Sequence, residues 1–398
     1  MSPRRCKEQL SFRRQAHAQN HMHTQAHRDD KDNLKSVTML LLLLLLLVLC
    51  PAVRAFSMPS PPPPTPPSTS SLFVFGLGYV GSRLAQELVA VPGWEVGGTT
   101  SSLSSSPPFP SSVRVWEYDA RPATRKLLDV AGLAALRQVT HVLVTIPPVD
   151  GKDSVVNLYG SDLVNNCPRL RWVGYLSSTS VYGDRGGDWV TEEDAVQPVT
   201  SKGLARVEAE AEWVELVRQV PSQVPRCRIF RLAGIYGPGR NALETTRRGL
   251  RGAQGGVETS RLDGDRWVSR THVEDIVRVL RCSMKEEKGG NVVEIYNVAD
   301  DRPASRLEVF SFAAGLLGKE GAAGLAAEQP ASSSPSPSPT SRRARPPESK
   351  RVANEKMKRL LLLGGSSASS STSPSALRYP TYEEGLRQIW QDIVNEEG

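Results

Sequence analysis

Three glycines carry the first chemistry that can be read from this chain. Phe75-Gly76-Leu77-Gly78-Tyr79-Val80-Gly81 follows the apolar run Leu72–Phe75 and leads into Ser82–Ala90, where Leu84, Leu88 and Val89 share a helical face. A Gly-x-Gly-x-x-Gly turn between a strand and a helix suits a dinucleotide pyrophosphate. Gly76 permits the tight turn, Gly78 lets backbone approach the phosphates, and Gly81 lets helix and strand pack closely. The helix start at Tyr79 and Val80 adds amide donors and the positive end of the helix dipole. These five residues are the expected cofactor cradle.

The second strand would end in Asp or Glu if it were to hold the ribose 2′-hydroxyl of NAD. Here it ends Gly98-Thr99-Thr100-Ser101, with hydroxyls such as that of Thr100 to donate to a 2′-phosphate but no arginine to clamp one. The cofactor is therefore NADP or NAD, with the balance toward NADP.

The elements that must position this turn alternate. Strands are expected at 72–75, 94–99, 113–118, 141–146, 171–176 and 228–232, most of them separated by helical stretches. A long helix starts near Ser201, with Leu204, Val207, Ala211, Val214 and Val217 as its apolar face and Pro221 as its stop. A further helix follows at 306–317. This is the pattern of an α/β protein, a Rossmann doubly wound parallel sheet with helices on both faces. The expected divisions are 1–55, an N-terminal extension with a signal peptide; 56–71, a Pro/Ser-rich transit-like segment; 72–318, the Rossmann domain; 319–350, a Ser/Pro/Ala-rich disordered insertion; and 351–398, the C-terminal part of a small substrate lobe.

Of the 398 residues, 39% are hydrophobic and 23% charged, ordinary for a globular chain. The net charge of +7 is concentrated at the start: residues 1–55 hold nine basic and four acidic side chains, leaving 40 basic against 38 acidic for the rest. That excludes a nucleic-acid footprint on the domain. The five cysteines, Cys6, Cys50, Cys167, Cys227 and Cys282, form neither a disulfide framework nor a metal knuckle, and no metal site is expected. The apolar run Met39–Cys50 is too short for a stable membrane span, so none is expected in the mature protein. It has the proportions of a signal peptide, with Val53 and Ala55 before a cut ahead of Phe56. The acid-free Pro/Ser/Thr tract that follows resembles the bipartite presequence of algae with complex plastids. That implies the plastid stroma; secretion and a cytoplasmic location are the alternatives.

The ordered series of motifs resembles the extended and atypical short-chain dehydrogenase/reductases, the NAD-dependent epimerase/dehydratase-like group. After the glycine turn come Asp119, Ser177-Ser-Thr-Ser-Val-Tyr-Gly183, Arg231-Leu-Ala-Gly-Ile-Tyr-Gly-Pro-Gly239, His272-Val-Glu-Asp275 and Tyr296-Asn-Val-Ala299. The resemblance implies that Asp119 accepts from the adenine amino group, that Ser178 is the catalytic hydroxyl, and that Tyr182 lines the substrate pocket or lies in the core. Arg240 and Arg270 would lie near the substrate lobe, able to hold an anionic group, while His272 and Asp275 would fix the packing of that lobe. A homodimer through two helices follows by analogy.

The family's Tyr-x-x-x-Lys pair is absent. With Pro198 and Glu210 as the flanks of that motif, Lys202 stands at the tyrosine position and Arg206 at the lysine position, beside the cofactor. Three readings follow: Lys202 serves as acid or base, Tyr182 or a water moves the proton, or nothing does. Phe75 also replaces the first glycine of the usual Gly-x-x-Gly-x-x-Gly, which points to an atypical branch. The expectation is an NAD(P)-dependent oxidoreductase or epimerase/dehydratase-like enzyme acting on a small carbonyl, alcohol or sugar. The alternative is a non-catalytic dinucleotide-binding sensor or scaffold.

Overall fold

A computed structural model describes residues 69–104, 109–219, 226–251, 266–285, 292–318, 348–362 and 377–397. The leucine run, most of the Pro/Ser tract, most of the insertion and the Ser-rich patch at 364–375 lie outside the described residues.

The centre is a seven-stranded parallel sheet. In chain order its strands and helices are β1 (Ser70–Phe75), α1 (Tyr79–Val89), β2 (Trp94–Thr100), β3 (Val113–Glu117), α2 (Val130–Leu136), β4 (His141–Val144), α3 (Ser154–Asn165) and β5 (Trp172–Ser178). Then follow the short β6 (Trp189–Val190), α4 (Ser201–Arg218), β7 (Arg226–Leu232), β8 (Gly234–Tyr236), α5 (Ala242–Arg251), β9 (Arg270–His272), α6 (Val273–Met284), β10 (Val293–Val298), α7 (Arg306–Leu316), β11 (Arg351–Val352) and α8 (Tyr382–Glu397). The sheet order is β10-β7-β5-β4-β1-β2-β3, so the direction of winding reverses between β1 and β4. In open α/β sheets ligands bind beyond the carboxyl ends of the strands at such a reversal.

Alternation along β1 builds a core on each face of the sheet. Leu72 and Val74 join Leu84 and Leu88 of α1 and Ile276 and Leu280 of α6 on one side. Phe73 and Phe75 join Val142, Tyr159, Tyr175 and Trp213 on the other. A third cluster, with Tyr236, Leu243, Val309, Tyr382 and Leu386, forms the C-terminal lobe. Helix starts are capped by side chains: Asp129 accepts from the Gly132 N–H, Asp153 from Val155, Thr200 from Gly203 and Ser305 from Glu308. α1 starts instead at Gly78 with no side-chain cap, leaving its first amides to other partners.

Three expectations shift. The apolar face read for α4 is displaced: Leu204 and Ala211 are exposed, and the buried stripe is Gly203, Ala209, Glu210, Trp213 and Val217. Trp213 has the area to anchor the helix, and Glu210 is buried with an arginine partner described below. β1 begins at Ser70, inside the segment read as transit-like. Glu348, Ser349 and Lys350, assigned by composition to the insertion, belong to the fold: the Arg185 and Gly187 N–H groups donate to the Ser349 carbonyl, and β11 pairs with β6 immediately after. The same returning segment reaches one edge of the sheet, where Lys356 Nζ lies 2.9 Å from Glu294 Oε2 of β10.

Candidate dinucleotide and substrate site

The phosphate turn is built from backbone and small side chains. Gly76 has a φ of +100°, and a Cβ there would sit 2.6 Å from both Ile146 Cγ2 and Thr145 Oγ1. A Cβ on Gly81 would run into the Gly76 carbonyl oxygen, whereas one on Gly78 would meet nothing within 4 Å. The turn is therefore closed beneath and open at Gly78. Two threonines brace it: the Gly76 N–H donates to Thr99 Oγ1 at 3.0 Å, and Thr145 Oγ1 donates to the Gly76 carbonyl at 2.6 Å. Thr145 comes from just beyond β4, so both sides of the winding reversal hold the turn. Neither threonine was identifiable as a brace from sequence, although the Thr99-Thr100 pair marked the strand end.

Tyr79 and Val80 open α1. Val80 is buried in the core, and the Tyr79 hydroxyl donates to the Pro238 carbonyl at 2.9 Å. Thr100 is half-buried at the end of β2, its hydroxyl directed to the Ser102 carbonyl at 3.4 Å. Asp119 is buried just after β3, and its carboxylate accepts from Arg121 Nη2 at 2.6 Å, from Arg121 Nε at 2.9 Å and from Thr124 Oγ1 at 2.5 Å. Those bonds, Arg121 foremost, hold its carboxyl well below the usual range. An adenine amino group would have to share these oxygens with Arg121 and Thr124.

A cleft of about 350 Å³ opens at the carboxyl ends of β5 and β7, lined in part by Ser178, Ser180, Ala233, Trp267, Glu348 and Lys350. Ser178 Oγ accepts from the Ser180 N–H at 3.2 Å, capping the helical turn Thr179–Tyr182. Lys350 is buried, with Nζ donating to the Gly183 carbonyl at 2.7 Å and to Glu348 Oε2 at 2.9 Å. It enters the cleft from 172 residues further along the chain than Ser178. In sequence it falls at the end of the Ser/Pro/Ala-rich stretch 319–350, which hides it.

The other expected catalytic residues are elsewhere. Tyr182 is buried behind the cleft, not on its lining: its hydroxyl donates to Asn297 Oδ1 at 2.7 Å and accepts from Arg231 Nη1 at 2.9 Å. Burial pushes its phenol up to about 12. Arg231 in turn pairs with Glu210 at 2.8 Å, and Ser177 Oγ donates to Glu210 at 2.5 Å, closing a buried polar network. Lys202 is exposed on the first turn of α4 and does not line the cleft. Arg206 turns inward and donates to the Tyr175 hydroxyl at 3.0 Å and the Leu176 carbonyl at 2.6 Å. The helix thus sends the two residues at the family's paired positions to different surroundings.

A second cleft, about 630 Å³, lies in the C-terminal lobe and includes Arg240, Arg270, Arg306, Tyr236 and Tyr382. It shares Gly234 and Val268 with the first. Arg270 Nη1 donates to the Val268 and Ala304 carbonyls at 2.9 and 2.8 Å, and burial lowers its pKa. The His272 ring packs against Tyr379 with centroids 4.1 Å apart, and burial pushes it down to about 3. Asp275 accepts from the Arg378 and Tyr379 N–H groups at 2.6 and 3.0 Å, so both residues fasten the C-terminal segment. Among the described residues, no group of three or more side chains could hold a metal ion, and no helix is long and apolar enough to cross a membrane.

Residues 152–365 match the profile described as the RmlD substrate binding domain. The chain is 30% identical over 254 residues to protein YeeZ of Escherichia coli K12, covering 62% of this chain and 84% of that one. A solved structure of a functionally unknown conserved protein from Silicibacter pomeroyi is 30% identical with a TM-score of 0.59, over 82% of this chain and 99% of the other. MoeE5, solved with UDP-glucuronic acid and NAD, shares the fold at 21% identity and a TM-score of 0.56, over 82% and 99% of the two chains.

Proposed function

This chain belongs to the extended short-chain dehydrogenase/reductase family, in the NAD-dependent epimerase/dehydratase-like group with an RmlD substrate binding domain, and on that premise we propose that it is an NAD(P)-dependent oxidoreductase or epimerase-like enzyme. Its substrate is a small carbonyl, alcohol or sugar. The observation that carries this reading is the phosphate turn, rigid beneath and open at Gly78, at the reversal of winding.

The uncapped start of α1 offers the Tyr79 and Val80 amides to the pyrophosphate, while Thr99 and Thr145 hold the turn in shape. The hydroxyl-rich end of β2 supports NADP over NAD, since Thr100 presents no carboxylate to repel a 2′-phosphate. When bound, the nicotinamide supplies or accepts a hydride. Ser178 holds a substrate oxygen, and the Lys350–Glu348 ion pair offers a donor and an acceptor in the same cleft. MoeE5's ligands support a polar small molecule beside the dinucleotide.

A second reading, a dinucleotide-binding protein without turnover, is favoured by the exposure of Lys202 and the engagement of Arg206 with backbone. Titration of the purified chain with NADPH and NADH, followed by a hydride-transfer assay on a carbonyl panel, separates the two. Tight binding with turnover is expected, and NADPH should bind more tightly. Binding with no turnover of any compound would establish the second reading, and binding of neither dinucleotide would exclude both. We also infer plastid delivery from residues 1–71; a fluorescent fusion of that segment that stays in the cytoplasm would refute it.

A further inference from the structure

Arg240 belongs to two places at once. It lines the larger cleft of the C-terminal lobe, and its guanidinium carbon lies 5.7 Å from the centre of the Tyr79 ring. Tyr79 stands between the second and third glycines of the phosphate turn.

The turn that presents Arg240 is firmly built. Gly237 and Arg240 exchange backbone hydrogen bonds of 3.0 Å. Asn241 Nδ2 donates to the Gly237 carbonyl at 2.9 Å, and the Gly239 N–H donates to Glu244 Oε1 at 2.8 Å. The Tyr79 hydroxyl ties the start of α1 to this turn through the Pro238 carbonyl. A Cβ on Gly237 would come within 2.6 Å of that hydroxyl, so the two pieces are already in close contact. Arg240 is therefore set from both sides at the mouth of the phosphate turn.

Arg83 of α1 and Arg240 of the C-terminal lobe both place positive charge near Tyr79. Neutral amides at a helix start satisfy phosphate oxygens but leave most of the pyrophosphate's two negative charges uncompensated. The first turn of α1 carries no acid to repel them. Glu244, one turn along from Arg240, directs Oε1 to the Gly239 N–H and Asn241 Nδ2. A planar guanidinium matches two phosphate oxygens in a way that no single ammonium does.

We propose that Arg240 reaches from the C-terminal lobe to bind the dinucleotide pyrophosphate, so that groups from both sides of the cleft hold the cofactor. Tyr79 acts as a positioning residue through Pro238. This assignment rests on the dinucleotide reading above, and it gives the cofactor direct purchase on the lobe that holds the substrate.

Isothermal titration of the full chain with NADH, NADPH and ADP-ribose tests it. Arg240→Met should weaken all three by about ten-fold or more and by similar factors, because ADP-ribose keeps the pyrophosphate but lacks the nicotinamide. The salt dependence of binding should become shallower, Arg240→Lys should recover part of the loss, and Tyr79→Phe should cost a few-fold. Arg240→Gln replaces the methionine variant if the latter melts early. Unchanged ADP-ribose affinity in these variants overturns the proposal, as does a loss confined to the nicotinamide-bearing ligands. A wild-type chain that binds none of the three overturns the dinucleotide reading itself, a distinct outcome from binding that ignores Arg240.

Discussion

The phosphate turn and the Ser178 cleft lie at the same edge of one sheet, yet they are made of different materials. The turn is nearly all backbone: three glycines, two threonine hydroxyls and the amides of α1, drawn from within 70 residues of chain and carrying no formal charge in its closed underside. The cleft is made of side chains, with Ser178, Glu348 and Lys350 brought together from distant segments and a buried Glu210–Arg231 pair behind it. A site made of backbone is sensitive to added volume. A site made of charged side chains is sensitive to lost partners and to pH.

Substitutions should separate the two. The largest effect is expected from Gly81→Val, which forces α1 away from the Gly76 carbonyl and Val74. Urea unfolding should show a loss of about 4 kcal/mol or more, with NAD(P)H affinity abolished. Retained binding would mean that the turn tolerates volume and that the contrast is false. Arg231→Met comes next, since it leaves Glu210 buried without its cation; a loss of about 3–5 kcal/mol is expected in the same measurement.

Acid should act through the rings held neutral by burial. His141 is pushed down to about 4 and His272 to about 3, against an unfolded value near 6.5. Below pH 6.5 protons therefore bind the unfolded chain preferentially. Stability should be full at neutral pH and fall toward pH 4, by about 3 kcal/mol for each ring. A melting temperature flat from pH 7 to 4.5 would contradict this. Lys350→Met should leave NADH binding intact while cutting turnover of any accepted carbonyl about ten-fold; loss of cofactor affinity would instead join cleft and turn into one unit. Smallest of all, Lys202→Ala should change stability by less than about 0.5 kcal/mol and leave turnover unaltered.

The difference in materials also explains what could be read from the sequence. The phosphate turn is local, and its geometry demands glycine at fixed spacing, so Gly76, Gly78 and Gly81 were visible along with the strands that flank them. The alternating strands of a doubly wound sheet were equally legible, since burial on both faces makes them continuous apolar runs. Lys350 was hidden because it follows a Ser/Pro-rich tract and its partners lie far away in the chain. The burial of Tyr182 was hidden because the partners of its hydroxyl, Arg231 and Asn297, lie far along the chain. The face of α4 was misread because a paired Glu210 is buried as fully as an apolar residue.

The segment that brings Lys350 into the cleft has another consequence, for solubility. β10 is one of the two edge strands of the sheet, and an uncovered edge strand offers its backbone groups to other chains. Lys356, six residues past Lys350, pairs with Glu294 of β10 and lies over the Tyr296 ring at 5.5 Å, guarding part of that border. A protease cut that released the chain beyond Gly318 would therefore remove a cleft residue and a border guard together. The surviving fragment would be expected to aggregate through β10.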